Sequence, residues 1–168
     1  MSHHSRVYVI GVGMTNFSKP LKSTDYPEIG LEAGAKALLD AGINYDDVQR
    51  GFACWAYGDS TSGQRVFYQL GMTGVQIVNI NNACATGSTG LFLARDTLAH
   101  GSADVALVIG FEKMYPGSTK KFFLDRSNPQ GLFGEKMMQL EPRSKPGTVC
   151  LFGNAAEEYI QKYVTPSI

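Results

Sequence analysis

Residues 79–90 read N-I-N-N-A-C-A-T-G-S-T-G, with Cys84 where a strand pattern stops and a Gly/Ser/Thr-rich helix pattern begins. A helix N-terminus gathers unpaired N–H groups and the positive end of the macrodipole. A thiolate placed there is stabilised, which raises its reactivity. Ala85, Thr86, Gly87 and Ser88 are small, so a substrate carbonyl can approach the backbone closely. The Cys84 N–H is then a candidate donor to a developing oxyanion. The logic is that of the nucleophile elbow of hydrolases, without its motif. A plainer reading stands beside it, in which Cys84 is a small buried hydrophobe. Local chemistry alone leaves both open.

The other residues able to do chemistry are few. Cys54, Cys84 and Cys150 are an odd number at wide, irregular spacing, which gives neither a disulfide framework nor a zinc site and suits a reducing compartment. Cys54, in F-A-C-W-A, reads as strand core. His3 and His4 sit in a polar N-terminus, and His100 ends a helix pattern before Gly101, where an imidazolium suits the dipole. The G-V-G of residues 11–13 lacks the third glycine of a dinucleotide fingerprint. No metal is expected.

These residues must be carried by a regular scaffold. R-V-Y-V-I-G-V, residues 6–12, predicts a buried strand. Asp25 is a candidate N-cap for a helix over 28–41, with Ile29, Ala33, Ala37 and Leu38 near one face and Gly42 as the stop. Residues 45–48 predict a turn or short helix, 51–57 a strand, 64–70 a short helix, 75–80 a strand, 85–100 a helix and 104–111 a nearly all-apolar strand. Continuous apolar strands alternating with helices imply an α/β fold with a mostly parallel sheet covered on both faces. After Met114 the composition turns to Pro, Gly, Lys and Arg, so 115–148 predicts a long surface excursion with a short helix at 134–140. A last helix is expected over 154–163.

The totals narrow the function. With 168 residues, 43% hydrophobic and 18% charged, the chain is globular in composition and long enough to bury a core. Fifteen basic and fifteen acidic residues give no net charge, and without a basic stripe nucleic-acid binding has little electrostatic support. No apolar run approaches the roughly 18 residues of a membrane span. The N-terminus lacks the apolar core of a signal peptide. The expectation is an intracellular protein without a transmembrane segment.

N-N-A-C-A-T-G-S-T resembles the nucleophile segment of thiolases, and more narrowly of the sterol-carrier-protein-type thiolases. V-I-G-V-G-M-T, G-D-S-T-S-G-Q-R (58–65), L-G-M-T-G (70–74), G-F-E-K-M (110–114) and F-G-N-A-A-E-E-Y-I-Q-K-Y (152–163) are similar to family stretches in the same order. Ala83 departs from the pattern, since close relatives often carry Asn there. The resemblance implies a five-layer αβαβα fold of two similar halves, with a loop domain inserted after the first. On that pattern residues 1–114 are the first half and 115–168 part of the insertion. The implied activity is that of an acetyl-CoA C-acyltransferase, a 3-ketoacyl-CoA thiolase of lipid β-oxidation. Cys84 becomes acylated, acetyl-CoA or propionyl-CoA leaves, and coenzyme A is a cosubstrate rather than a bound cofactor.

The family also uses a histidine on a G-H-P-like segment and a second cysteine on a C-x-G-like segment, both in its second half. No His here precedes Pro, and Cys150 lacks the C-x-G pattern. The expectation is a chain catalytically incomplete alone, working as a homodimer or with a partner supplying the missing half. The resemblance suggests a peroxisome in a eukaryote and the cytoplasm in a bacterium. Two rivals remain: a non-catalytic acyl-CoA- or lipid-binding or regulatory fragment, and another condensing enzyme such as a ketoacyl synthase.

Several residues carry two readings each. The resemblance implies that Asp59, Ser60, Gln64 and Arg65 lie near a subunit contact; their own chemistry fits an N-cap at Ser60 or Ser62 with solvated charges. Asn81 and Asn82 fit Asx-type bonds that fix the turn, or contacts to a neighbouring subunit. The resemblance implies that the region of Lys120, Lys121, Arg126, Lys136, Arg143 and Lys145 helps hold the coenzyme A nucleotide, so these cations fit a contact to its phosphates, or a solvated face. Met114, Met137 and Met138 fit an acyl tunnel, or ordinary packing.

Overall fold

Three short apolar runs become a parallel sheet: β1 (Arg50–Cys54), β2 (Gln76–Ile80) and β3 (Ala106–Gly110), in the order β2-β1-β3. They belong to a computed structural model that describes residues 6–118, 123–140 and 148–164. Arg50 pairs with Gln76 and Ala106, and Cys54 pairs with Ile80 and Gly110. All three strands therefore end at one edge of the sheet. Each lies close to its expected position but is shorter. Trp55 to Tyr57 bend away instead of extending β1.

The pleat sends alternate side chains to opposite faces. Ala53, Leu107 and Ile109 pack with Val66 and Phe67 of α2 (Ser62–Phe67) and with Ile29, Ala37 and Leu38 of α1 (Tyr26–Ala41). Phe52, Cys54 and Ile80 face the other way, onto Leu93 and Ala94 of α3 (Thr86–Ala99). The sheet is thus covered on both faces, as the apolar strands require. The signals at the ends of α1 work as read. The Asp25 carboxylate accepts the Tyr26 N–H at 2.8 Å, and Gly42 stops the helix in the left-handed region at φ 67°.

Residues 6–12 are not a strand. Tyr8, Val9 and Val12 are 70%, 79% and 68% exposed, and no sheet pairing among the described residues includes them. The segment lies instead along α1. A Cβ at Gly11 would collide with Ala37 and Ala41, and one at Gly13 with Ala33 and Ala37, so only glycine permits this approach. The Val12 N–H donates to the Asp40 carboxylate at 2.9 Å. β-propensity describes fit to a pleated surface and does not supply the neighbouring strand.

The chain divides into two units, Met1–Ser118 and Thr119–Ile168. The second carries α4 (Gly131–Leu140) and α5 (Thr148–Tyr163), both starting earlier than expected. The helices run through Gly134 and Gly153, each at a cost of about 1 kcal/mol relative to alanine. Among the described residues no helix is long and apolar enough to cross a membrane.

α3 packs tightly on the sheet at Gly90, where a Cβ would strike the Cys54 Sγ and press on Val108. At Gly87, on the same helix, a Cβ would meet nothing within 4 Å. Gly90→Ala is therefore expected to lower stability by about 2 kcal/mol, by overpacking. Gly87→Ala should raise it by about 0.5–1 kcal/mol through helix propensity. Urea unfolding of the two variants checks the contrast, and equal effects would contradict the packing.

Candidate active site

The turn between β2 and α3 is built from side chains that its own sequence supplies. Asn81 Oδ1 accepts the Ala83 N–H at 3.2 Å, the Asx-type bond expected of this residue. Thr86 is buried, and its Oγ1 accepts the Asn82 N–H at 2.8 Å and donates to the Ala83 carbonyl at 2.6 Å. Asn82 Nδ2 donates to Thr89 Oγ1 at 3.0 Å. These bonds hold Ala83 at φ 47°, a left-handed conformation that disfavours a Cβ. Asparagine and glycine adopt it more readily, which gives the Ala83 departure a local cost.

Cys84 follows directly and is exposed. It precedes Ala85, the N-cap of the 14-residue helix α3. In this chain Cys84 is not packed as core, as the buried-hydrophobe reading expects. Gly87, one turn on, borders open space. A ligand can therefore reach both the thiol and the first turn of the helix.

Cys54 and His100 are placed elsewhere in the first unit. Cys54 is buried at the end of β1, as read, and burial pushes its thiol from 9.0 up to about 11. Cys150 lies on α5 in the second unit. His100 caps the far end of α3, with Nδ1 2.8 Å from the Asp96 carbonyl. A 14-residue helix is about 21 Å long, which keeps that ring away from the Cys84 turn. His3 and His4 lie outside the described residues.

The loop before α2 differs from expectation. Its N-cap is Thr61, at φ 65° and without a side-chain cap, rather than Ser60 or Ser62. Ser62 is buried and donates to the Asp59 carbonyl at 2.7 Å. Gln64 accepts from Asn79 Nδ2 at 2.7 Å, and Asn79 Oδ1 takes the Trp55 Nε1–H at 2.9 Å and the Gly63 N–H at 2.8 Å. Arg65 is exposed. Arg126 pairs with Asp125 at 2.9 Å and stacks on Phe123, so its guanidinium is already engaged. Lys136 is exposed on α4, while Lys120, Lys121, Arg143 and Lys145 lie outside the described residues. Met114 lines an open hollow of about 380 Å³ with Leu21, Lys113, Tyr115 and Pro116; Cys84 does not border it.

Sequence reasoning gave no role to Asn79 or Glu112, and read Thr86 only as a small residue, without its bonds to Asn82 and Ala83. The Glu112 carboxylate accepts the Ala56 N–H at 2.8 Å and the Tyr57 N–H at 3.1 Å. Its signal was a charged residue directly beyond an apolar strand, where backbone N–H groups leaving the ladder need acceptors.

Ala83→Gly is expected to stabilise the chain by about 0.5–1 kcal/mol, by relieving the left-handed strain. Urea unfolding reads it, and a loss of stability would contradict that conformation. A second expectation concerns alkali. Cys54 folds as a neutral thiol, so its contribution is full below pH 9.0 and is lost as pH rises through about 11. Stability should fall across that window, and Cys54→Ala should flatten the fall while lowering stability at neutral pH.

The family model for the thiolase N-terminal domain matches residues 7–163. Sterol carrier protein 2 of Gallus gallus is 49% identical over 163 residues, covering 95% of this chain and 30% of that protein. Non-specific lipid-transfer protein-like 2 of Caenorhabditis elegans is 42% identical over 166 residues, covering 94% and 40%. This chain thus spans less than half the length of either relative. Among solved structures, acetyl-CoA acetyltransferase from Syntrophomonas wolfei superposes with a TM-score of 0.60 over 92% of this chain and 41% of that one, at 18% identity, a likeness of fold. With β1 to β3 in a helix-covered parallel sheet and the N-N-A-C segment at its edge, the chain belongs to the thiolase family, through that family's N-terminal domain.

Proposed function

We propose that Cys84 carries an acyl group in a thiolase-type transfer. The observation that supports this best is an exposed cysteine on a hydrogen-bonded turn, directly before the N-cap of α3. The Cys84 sulfur attacks the keto carbon of a 3-ketoacyl-CoA. The bond between that carbon and the α-carbon breaks, and its electron pair leaves with acetyl-CoA or propionyl-CoA after protonation. The thiol of a second coenzyme A then takes the acyl group and restores Cys84. Covalent catalysis divides one hard step into two easier ones. The Cys84 N–H serves as one donor to the oxyanion.

The proton transfers at the thiol and at the α-carbon need further groups. Among the described residues no histidine stands beside Cys84, and Cys54 is buried in the core. We therefore assign this chain the acyl-carrying half of the chemistry and assign the proton-transfer groups to a complementary segment, in cis or in a partner. Residues 1–114 form the catalytic half-domain and 115–168 belong to the inserted loop domain. Homodimerisation, coenzyme A as cosubstrate, and a peroxisomal setting in lipid β-oxidation complete the proposal.

A second reading draws on the printed names of the relatives, a sterol carrier protein and a lipid-transfer protein. There the chain binds acyl-CoA or lipid without turnover. Incubation with acetyl-CoA separates the two by intact mass and peptide mapping. The transfer reading expects an acetyl group on Cys84, absent from Cys84→Ser. A folded chain that retains acetyl-CoA without forming the adduct would overturn acyl transfer by this chain alone.

A further inference from the structure

The parallel register brings the three strand ends together, so the residues just beyond them can bond to one another. Glu112 follows β3, Ala56 and Tyr57 follow β1, and Asn81 follows β2. Glu112 Oε1 accepts the Tyr57 N–H at 3.1 Å, and Oε2 accepts the Ala56 N–H at 2.8 Å. The Ala56 carbonyl, in the same peptide group as the Tyr57 N–H, accepts from Asn81 Nδ2 at 3.2 Å. Asn81 Oδ1, at the other end of that side-chain amide, accepts the Ala83 N–H at 3.2 Å. The sequence of groups is carboxylate, peptide, side-chain amide, peptide, and the next residue is Cys84.

We propose that Glu112 is a positioning residue for Cys84, acting through the Ala56–Tyr57 peptide and Asn81. The proposal rests on the reading of Cys84 as the nucleophile. Each amide in the chain donates toward the carboxylate and accepts on its far side, so the bonds polarise one another in the same direction. The terminal bond holds Ala83, whose left-handed conformation sets the direction in which Cys84 leaves the turn. Loosening Ala83 lets it relax toward ordinary φ values and swings the sulfur away from its place before α3. Among the described residues Glu112 forms no ion pair, so its two oxygens serve the backbone. Asn81 is exposed, so its bonds can be removed without opening a core.

The test uses this 168-residue chain and its Glu112→Gln, Asn81→Ala and doubly substituted forms. Alkylation of Cys84 by iodoacetamide is followed over a pH series, with peptide mapping to separate Cys54 and Cys150. Glutamine keeps the shape but turns one acceptor into a donor. Each single change is expected to slow Cys84 about three- to tenfold at every pH, because a small displacement is costly to a reacting group. The double change should slow it no more than the stronger single one, the mark of residues acting in series. Cys150 serves as the internal control and should not change. A Cys84 rate within twofold of the parent in Asn81→Ala, or effects that multiply, overturns the proposal. If Glu112→Gln does not fold, Asn81→Ala alone decides it. The acetyl-CoA experiment is independent: alkylation as expected without acylation overturns acyl transfer by this chain alone and leaves the positioning role standing.

Discussion

Parallel pairing forces every strand to finish at the same edge of the sheet. That constraint concentrates at one rim the loops after Cys54, Ile80 and Gly110, and with them the backbone groups that leave the ladder. The rim answers with polar side chains: Glu112 for the β1 loop, Asn79 for the start of α2, Asn81 and Thr86 for the turn after β2. Both non-glycine residues with positive φ among the described residues, Thr61 and Ala83, belong to loops that leave this rim. Strain held in place by surrounding bonds is a recurring property of functional sites. Here it coincides with the exposed thiol.

The opposite requirement governs the interior. The two faces of β1 are buried under different helices, so small residues are needed wherever backbone must approach backbone or sulfur. Gly90 lets α3 settle over Cys54, and Gly51 makes room for the Phe67 ring on the other face. These contacts fix how deeply each helix sits, and therefore how far the first turn of α3 projects beyond the sheet. The position of Cys84 thus depends on packing several residues away from it.

Much of this was legible in the sequence. The helices of the first unit and the three observed strands follow from continuous apolar runs, from Asp25 as a cap and from Gly42 as a stop, because those signals act over a few residues. The placement of Cys84 before α3 was legible for the same reason, since a strand end, a thiol and a run of small residues are local. Residues 6–12 misled because a strand needs a neighbour that no local pattern names. The early starts of α4 and α5 misled because glycine weakens a helix without ending it. Glu112 was quoted as part of a motif but could not be given a task, since its partners lie 55 and 56 residues away in the chain. The family model and the named relatives support the fold reading, while the chemistry at Cys84 remains the part argued from geometry.

The seating of residues 6–14 on α1 has the character of a gear. Gly11 meets Ala37 and Ala41, and Gly13 meets Ala33 and Ala37, with the two segments running in opposite directions. Two residues of extended chain advance about 6.7 Å, and four residues of helix about 6 Å. The teeth match because these pitches nearly agree. Such a mesh tolerates changes of identity on its outward side, where Tyr8, Val9 and Val12 stand clear. It does not tolerate a change of length, for one inserted residue would drive a side chain where only a hydrogen fits. Along this stretch, evolution is freer to rewrite letters than to add or remove them.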